Sequence, residues 1–298
     1  ADNPLLSTGQ SAVEVFDYTM RDGQNVTSSS RLYITVYGAG TNDPVPTNDT
    51  ASATEAGVSA GTNATGNVIT NDKSTSTAAA GSGVTVTEVG LQGSGTTVTN
   101  LAGAISGAYG SLNIAAGGAF TYTVNDANSV VNALTIGQTL TEVFNYKVTN
   151  SSSLSSWAKL TIIINGANDA PVAVADTNTV QEDSGLNATG SVLTNDTDVD
   201  NNESRTVTKV GTTSANTAVT SGTTSANGTL VSGAYGNLTL GADGTYSYAL
   251  NNSLPAVQAL TLSGSTLSDV FRYEVTDAFG ATAVTTLSIT ITGSNEPP

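Results

Sequence analysis

Cysteine and histidine are both missing from this 298-residue chain. Without thiolates or imidazoles there is no Ser-His or Cys-His nucleophile pair, no imidazole base and no ordinary zinc site. The lack of cysteine also removes any disulfide framework, so stability rests on packing and bound ions, as suits bacterial exported proteins. Basic residues are scarce: eight Lys and Arg stand against 24 Asp and Glu, a formal charge of -16. Such a surface repels nucleic acid and anionic lipid, and divalent cations are its natural counter-charge. No apolar run approaches the roughly 20 residues of a membrane helix, and Ala1-Asp2-Asn3-Pro4 carries neither the basic nor the apolar stretch of an export signal. No phosphate-binding glycine loop, nucleophile elbow or metal-histidine motif occurs. Paired carboxylates alone do not make a glycosidase, which also needs an aromatic-lined cleft; the chain has a single Trp. The reading is of a non-enzyme.

What is present is repetition. Glu14-Val15-Phe16-Asp17-Tyr18 returns as Glu142-Val143-Phe144-Asn145-Tyr146 and as Asp269-Val270-Phe271-Arg272-Tyr273, with the Phe positions 128 and then 127 residues apart. Gly107-Ala108-Tyr109-Gly110 returns as Gly233-Ala234-Tyr235-Gly236, and Glu55-Ala56-Gly57 as Glu182-Asp183-Ser184-Gly185. The joints repeat as well: Asn42-Asp43-Pro44, Asn168-Asp169-Ala170-Pro171 and Asn295-Glu296-Pro297. A period near 127 is the size of a small domain, not of a solenoid rung. The expected domains are residues 1–43, the closing part of an incomplete repeat; 44–169, a complete middle repeat; and 170–298, a complete third repeat.

Within each repeat the apolar period is two. Leu160, Ile162 and Ile164, and Leu287, Ile289 and Ile291, place an apolar residue at every second position, as in a strand with one face on a core. Phe144, Tyr146 and Val148 do the same one strand earlier, matching Phe271, Tyr273 and Val275. Short Thr-, Val- and Ser-rich runs broken by Asn, Asp and Gly predict many antiparallel strands, with one helical turn at Pro255–Leu260. The expected fold is all-β: tandem immunoglobulin-like or cadherin-like sandwiches joined by short Asn-Asp-Pro linkers. Alternation turns Trp157 away from the core, as a surface contact for a neighbouring loop, a partner or a glycan.

The third repeat resembles the VCBS repeat. The likeness rests on Glu182-Asp183-Ser184-Gly185, Asn195-Asp196-Thr197-Asp198-Val199-Asp200, Gly233-Ala234-Tyr235-Gly236, Ala242-Asp243-Gly244-Thr245-Tyr246, Val275-Thr276-Asp277 and the Asn-Asp-Pro joints. That family is a cadherin-like or immunoglobulin-like sandwich found in tandem in very large bacterial adhesins. The resemblance implies extender domains, calcium near the joints, and a role in biofilm or surface attachment. The middle repeat departs from it, with Ala56 for Asp183, Lys73-Ser74 after Asn71-Asp72, Gly117-Gly118 for Asp243-Gly244, and Asn150 for Asp277.

The metal candidates are acidic. Asp196, Asp198 and Asp200 fall at i, i+2 and i+4, a spacing that can converge hard oxygens on calcium. Asn201 and Val207 stand where an EF-hand has its glycine and its bidentate Glu, so the loop is not of that type. Glu182 and Asp183, with Asn168 and Asp169 of the joint before them, form a second group on the resemblance to cadherins. Asp243 and Asp277 read as turn formers. The expected role is that of calcium-stiffened extender repeats of a bacterial surface or secreted adhesin; the alternative is a glycan- or protein-binding module or a fibre subunit. Partners would be adjacent repeats and other copies in a fibre, with no nucleic acid and no membrane insertion. Residues 1–43 hold only a strand pair, with Phe16, Tyr18, Leu32, Ile34 and Val36 on one face, and are expected to be completed by residues preceding Ala1.

Overall fold

The computed structural model describes residues 11–37, 42–95, 97–99, 101, 103–201, 204–261, 264 and 266–295. Val36 has no described side chain, and Glu296 and Pro297 of the last joint lie outside these residues. The chain divides into two compact units. The first comprises Ala1–Thr54, Thr62–Asn125 and Leu140–Ile164; the second comprises Glu55–Gly61, Asp126–Thr139 and Asn165–Pro298. The unit boundary therefore differs from the repeat boundary: residues 55–61, 126–139 and 165–169 of the middle repeat's sequence group with the third.

In the first unit, β1 (Ser11–Arg21) and β2 (Thr27–Tyr37) pair only with each other as an antiparallel hairpin. Val15, Phe16, Tyr18, Leu32 and Ile34 are all exposed. The rest of the unit holds two four-stranded sheets. One is β3 (Asp49–Thr54), β5 (Val84–Leu91), β9 (Thr139–Asn150) and β10 (Ser155–Asn165), in the order β3-β10-β9-β5. The other is β4 (Ala64–Asn67), β6 (Ile105–Ser106), β7 (Gly110–Ile114) and β8 (Ala119–Val124), in the order β4-β8-β7-β6.

The second unit repeats the plan. Its larger sheet contains β11 (Asp176–Gln181), β13 (Thr206–Gly211) and β14 (Thr217–Ala218), with the hairpin of β18 (Leu267–Thr276) and β19 (Thr282–Thr292) at its centre. Its smaller sheet holds β12 (Ala188–Ser191), β15 (Thr229–Ser232), β16 (Gly236–Leu240) and β17 (Thr245–Leu250). The first strand β11 runs parallel to β19, while β13 runs antiparallel to β18. A bulge recurs at Val86/Glu88 and at Val207/Lys209, so a designed kink is carried from repeat to repeat. The helical turn α1 (Pro255–Gln258) lies where expected. No helix among the described residues is long and apolar enough to cross a membrane.

The alternating residues are the core. Phe144, Tyr146, Val148, Leu160, Ile162 and Ile164 are fully buried, as are Phe271, Tyr273, Val275, Leu287, Ile289 and Ile291. Phe144 meets Tyr122 edge to face with ring centroids 6.1 Å apart, and Phe271 meets Tyr248 at 6.0 Å.

Two polar anchors explain the repeated motifs. Buried Asp269 accepts hydrogen bonds from the backbone N–H groups of Ala234, Tyr235 and Gly236 at 2.8, 3.0 and 3.1 Å and from the Tyr248 hydroxyl at 2.6 Å. Glu142 takes the Ala108 N–H and the Tyr122 hydroxyl in the same way. The Gly-Ala-Tyr-Gly segment is thus a loop wound around a buried carboxylate, and a Cβ at Gly107 or Gly233 would strike that carboxylate.

The second anchor is the Tyr146 hydroxyl, 2.7 Å from Asp49 Oδ2, with Asp72 beside it. Asp72 is fully buried; its Oδ1 accepts the Thr47 N–H at 2.7 Å. Burial and the nearby Asp49 charge push the Asp72 carboxyl up to about 6 despite hydrogen bonds from Thr47 and Tyr146. The folded state therefore keeps a proton that the unfolded chain loses near pH 4, and this contribution disappears as pH rises through about 6. Urea denaturation should find the first unit more stable near pH 4.5 than near pH 7.5, by on the order of 2 kcal/mol from this group. Asp72→Asn should flatten that slope; an unchanged slope contradicts the assignment.

Candidate metal centre

Within the second unit, residues far apart in sequence meet at the segment Asn168–Asp169. The geometry starts from Glu55, at the end of β3, whose side chain is 1% exposed. Its N–H donates to the Asn165 carbonyl, and its Oε1 accepts the Ala167 N–H at 3.0 Å. Val58 donates to the Asn168 carbonyl at 2.7 Å, and a Cβ on Gly57 would strike that carbonyl. Asp126 accepts the Ala56 N–H at 3.0 Å. From the other side, Asp200 Oδ2 accepts the Asp169 N–H at 2.8 Å, and Asp198 Oδ1 accepts the Asp200 N–H at 3.1 Å. The Asn168 amide donates to Asp277 Oδ2 at 2.8 Å and to the Asp169 carbonyl at 2.7 Å.

These bonds orient the carboxylates and leave oxygens over. Glu55 Oε2, Asn168 Oδ1, Asp169 Oδ2 and Asp198 Oδ2 are buried without a hydrogen-bond partner. Buried polar atoms are ordinarily satisfied, so four in one place call for an explanation. Their electrostatics agree. Burial pushes the Glu55 carboxyl up to about 7, with the charges of Asp169, Asp200 and Asp126 adding to the rise against the pull of the Ala167 hydrogen bond. Asp169 is also raised, by burial first and then by Asp198 and Asp126. A cation among these groups would answer both the unsatisfied oxygens and the mutual repulsion.

The donor set is hard oxygen throughout, which fits calcium or magnesium and not a soft metal. Among the described residues, no three acidic side chains are packed closely enough to form a finished metal shell. Like charges repel, so drawing these carboxylates to the roughly 2.3–2.6 Å of a calcium shell would take the cation itself.

Of the residues expected from sequence, Asn168, Asp169, Asp198 and Asp200 come together here. Asp196 does not. Thr197 forms an antiparallel bridge to Val172, which sets Asp196 toward Val174 and Asp198 toward the joint. Asp196 accepts the Val174 N–H at 2.7 Å, as Asp72 accepts that of Thr47. It belongs to the internal tyrosine anchor, where Tyr273 donates to Asp176 at 2.7 Å. The expected grouping of Glu182 and Asp183 with Asp169 is likewise corrected. Glu182 Oε1 accepts the Ser294 N–H at 2.9 Å, the bond that Glu55 makes with Ala167 one repeat earlier, and Asp183 is exposed at a positive φ of 55°. Glu182 Oε2 and Asn252 Oδ1 are again buried without a partner; Asn252 is the counterpart of Asp126. Glu182 thus lies against the segment that follows β19.

Sequence reasoning missed Glu55 and Asp126, although Glu55 stands one period before Glu182. Asp277 does more than the turn assigned to it: Oδ1 accepts the Phe279 and Ala281 N–H groups at 2.8 and 2.9 Å, leaving Oδ2 for Asn168. Asp243 is a turn former, binding the Thr245 N–H at 2.9 Å. Trp157 is exposed, with Lys147 Nζ 5.8 Å from its ring centroid.

Residues 168–293 match the family of the bacterial cadherin-like domain. Over that segment the third repeat is similar to a bacterial cadherin-like domain and has a β-sandwich fold. Among solved structures, the chain is similar to mouse cadherin-23 domains EC22-24 at 10% identity and a TM-score of 0.42, over 95% of this chain and 74% of that one. It is similar to protocadherin gamma B2 domains 3-6 at 14% and 0.40, over 94% of this chain and 58% of that one. Mouse protocadherin-24 EC1-3 aligns at 15% and 0.37, over 94% and 79%. No curated protein sequence matches.

Proposed function

We propose that this chain is a stretch of extender stalk from a bacterial surface or secreted adhesin of the VCBS type, stiffened by calcium at the joint around Asn168 and Asp169. The observation that carries this reading is the set of four unpartnered buried oxygens on Glu55, Asn168, Asp169 and Asp198. Glu55, Asp126, Asp169, Asp198 and Asp200 would hold the ion, with the Asn168 side-chain oxygen beside them. When bound, calcium supplies positive charge and coordination; it carries out no chemistry. The residues of the chain do the positioning: Ala167 and Asp200 tether one oxygen each of Glu55 and Asp198 and leave the other for a cation. A joint set by an ion holds an extended array in line and transmits force to a distal binding domain, the task of a stalk in attachment or biofilm.

At millimolar calcium and a dissociation constant of ~10–100 micromolar, each ion adds about 1.4–2.7 kcal/mol. Calorimetric scans of the full chain should show a melting transition that rises by on the order of 5–10 °C with calcium. Asp198→Asn should abolish most of the rise while leaving the chelated protein near the parent value. A melting temperature indifferent to both calcium and chelator counts against the proposal.

A further inference from the structure

We infer that the joint at Asn42–Pro44 is closed by an amide clasp and takes no calcium, so that the ion acts on the joint at Asn168–Pro171 and leaves this one as it is. The inference rests on the calcium reading of the Asn168–Asp200 site and contrasts with it. The two places are in structural register. Val45 bridges Lys73 as Val172 bridges Thr197, which puts Ser74 where Asp198 stands and Ser76 where Asp200 stands. Asn150 takes the place of Asp277 and makes the same turn: its Oδ1 accepts the Ser152 and Leu154 N–H groups at 3.0 and 3.1 Å.

The other arm is inverted. Asp277 offers an anionic oxygen, which accepts the Asn168 amide. Asn150 offers an NH2 group, which donates to the Asn42 carbonyl at 2.6 Å and to the Ser74 carbonyl at 3.0 Å. One neutral side chain therefore ties the linker directly to the loop after β4. The charge count agrees: three carboxylates of the third repeat become two serines and an asparagine, leaving Asp43, with exposed Lys73 nearby. Calcium takes six to eight oxygens and draws its affinity from carboxylate count, and the loops that follow this joint supply fewer carboxylates than those that follow Asn168–Asp169.

Hydrogen exchange of the full chain, read by mass spectrometry in calcium and in chelator, tests the contrast. Calcium should slow exchange several-fold in peptides covering 167–174 and leave those covering 42–49 unchanged. Slowing at both segments, or at 42–49 alone, overturns the inference. Silence at both overturns the calcium reading and the contrast with it, so the two failures are distinguishable. Asn150→Asp separates the clasp from the turn, because the new carboxylate keeps the Ser152 and Leu154 bonds, as Asp277 does, and loses both donated ones. Exchange at 42–49 should then accelerate several-fold in chelator; an unchanged rate means that the clasp does not hold the joint.

Discussion

Phe271→Ala should destabilise the second unit by about 3–5 kcal/mol, enough to remove much of a small domain's stability. Phe271 is fully buried and packs edge to face on Tyr248, so truncation loses both the transfer free energy of the ring and the contacts around the cavity it leaves. The paired experiment is Phe16→Ala. Phe16 occupies the same place in the repeated motif but is 48% exposed, and its loss should cost under about 1 kcal/mol. Denaturant unfolding of the two variants compares one side chain in two environments. Equal costs would mean that the first hairpin has an apolar cover, or that the third repeat packs more loosely than its burial implies.

Asp269→Ala should be nearly as severe, at about 3–5 kcal/mol, for a polar reason. The carboxylate holds the Tyr248 hydroxyl and three backbone N–H groups in an interior position. Removing it strands four donors, and each buried unsatisfied group costs about 1–3 kcal/mol before local relaxation. The loop Gly233–Gly236 should loosen first, visible as faster hydrogen exchange there. Asp269→Asn, which retains an acceptor, should recover part of the loss. A cost below about 1 kcal/mol for the alanine variant would contradict the anchoring role.

The sandwich was legible because its signals are local. Alternation along Phe271-Tyr273-Val275 and Leu287-Ile289-Ile291 has the period of a strand with one wet face, and all six residues are buried. Repetition every 127 residues marks the recurring units without any contact being known, although contacts assign residues 55–61 and 126–139 to the second unit. The ion site was legible only in part, since it is assembled from residues more than a hundred positions apart. Asn168, Asp169, Asp198 and Asp200 stood out as acidic loops and a joint. Glu55 and Asp126 did not, because nothing local distinguishes a carboxylate that ends a strand beside a joint from one that decorates it. Spacing also misled: Asp196 shares the i, i+2, i+4 pattern, yet the bridge at Thr197 sends it to the internal tyrosine network.

The central claim is that a cation sits among Glu55, Asn168, Asp169, Asp198 and Asp200. A crystal structure of the chain grown in calcium tests it most directly. The account predicts cation density within about 2.3–2.6 Å of the Glu55, Asp169 and Asp198 carboxylates, with the oxygens that lack hydrogen-bond partners among the ligands. Well-ordered density at millimolar calcium showing those oxygens bonded to water or protein donors, with no ion between them, would contradict it.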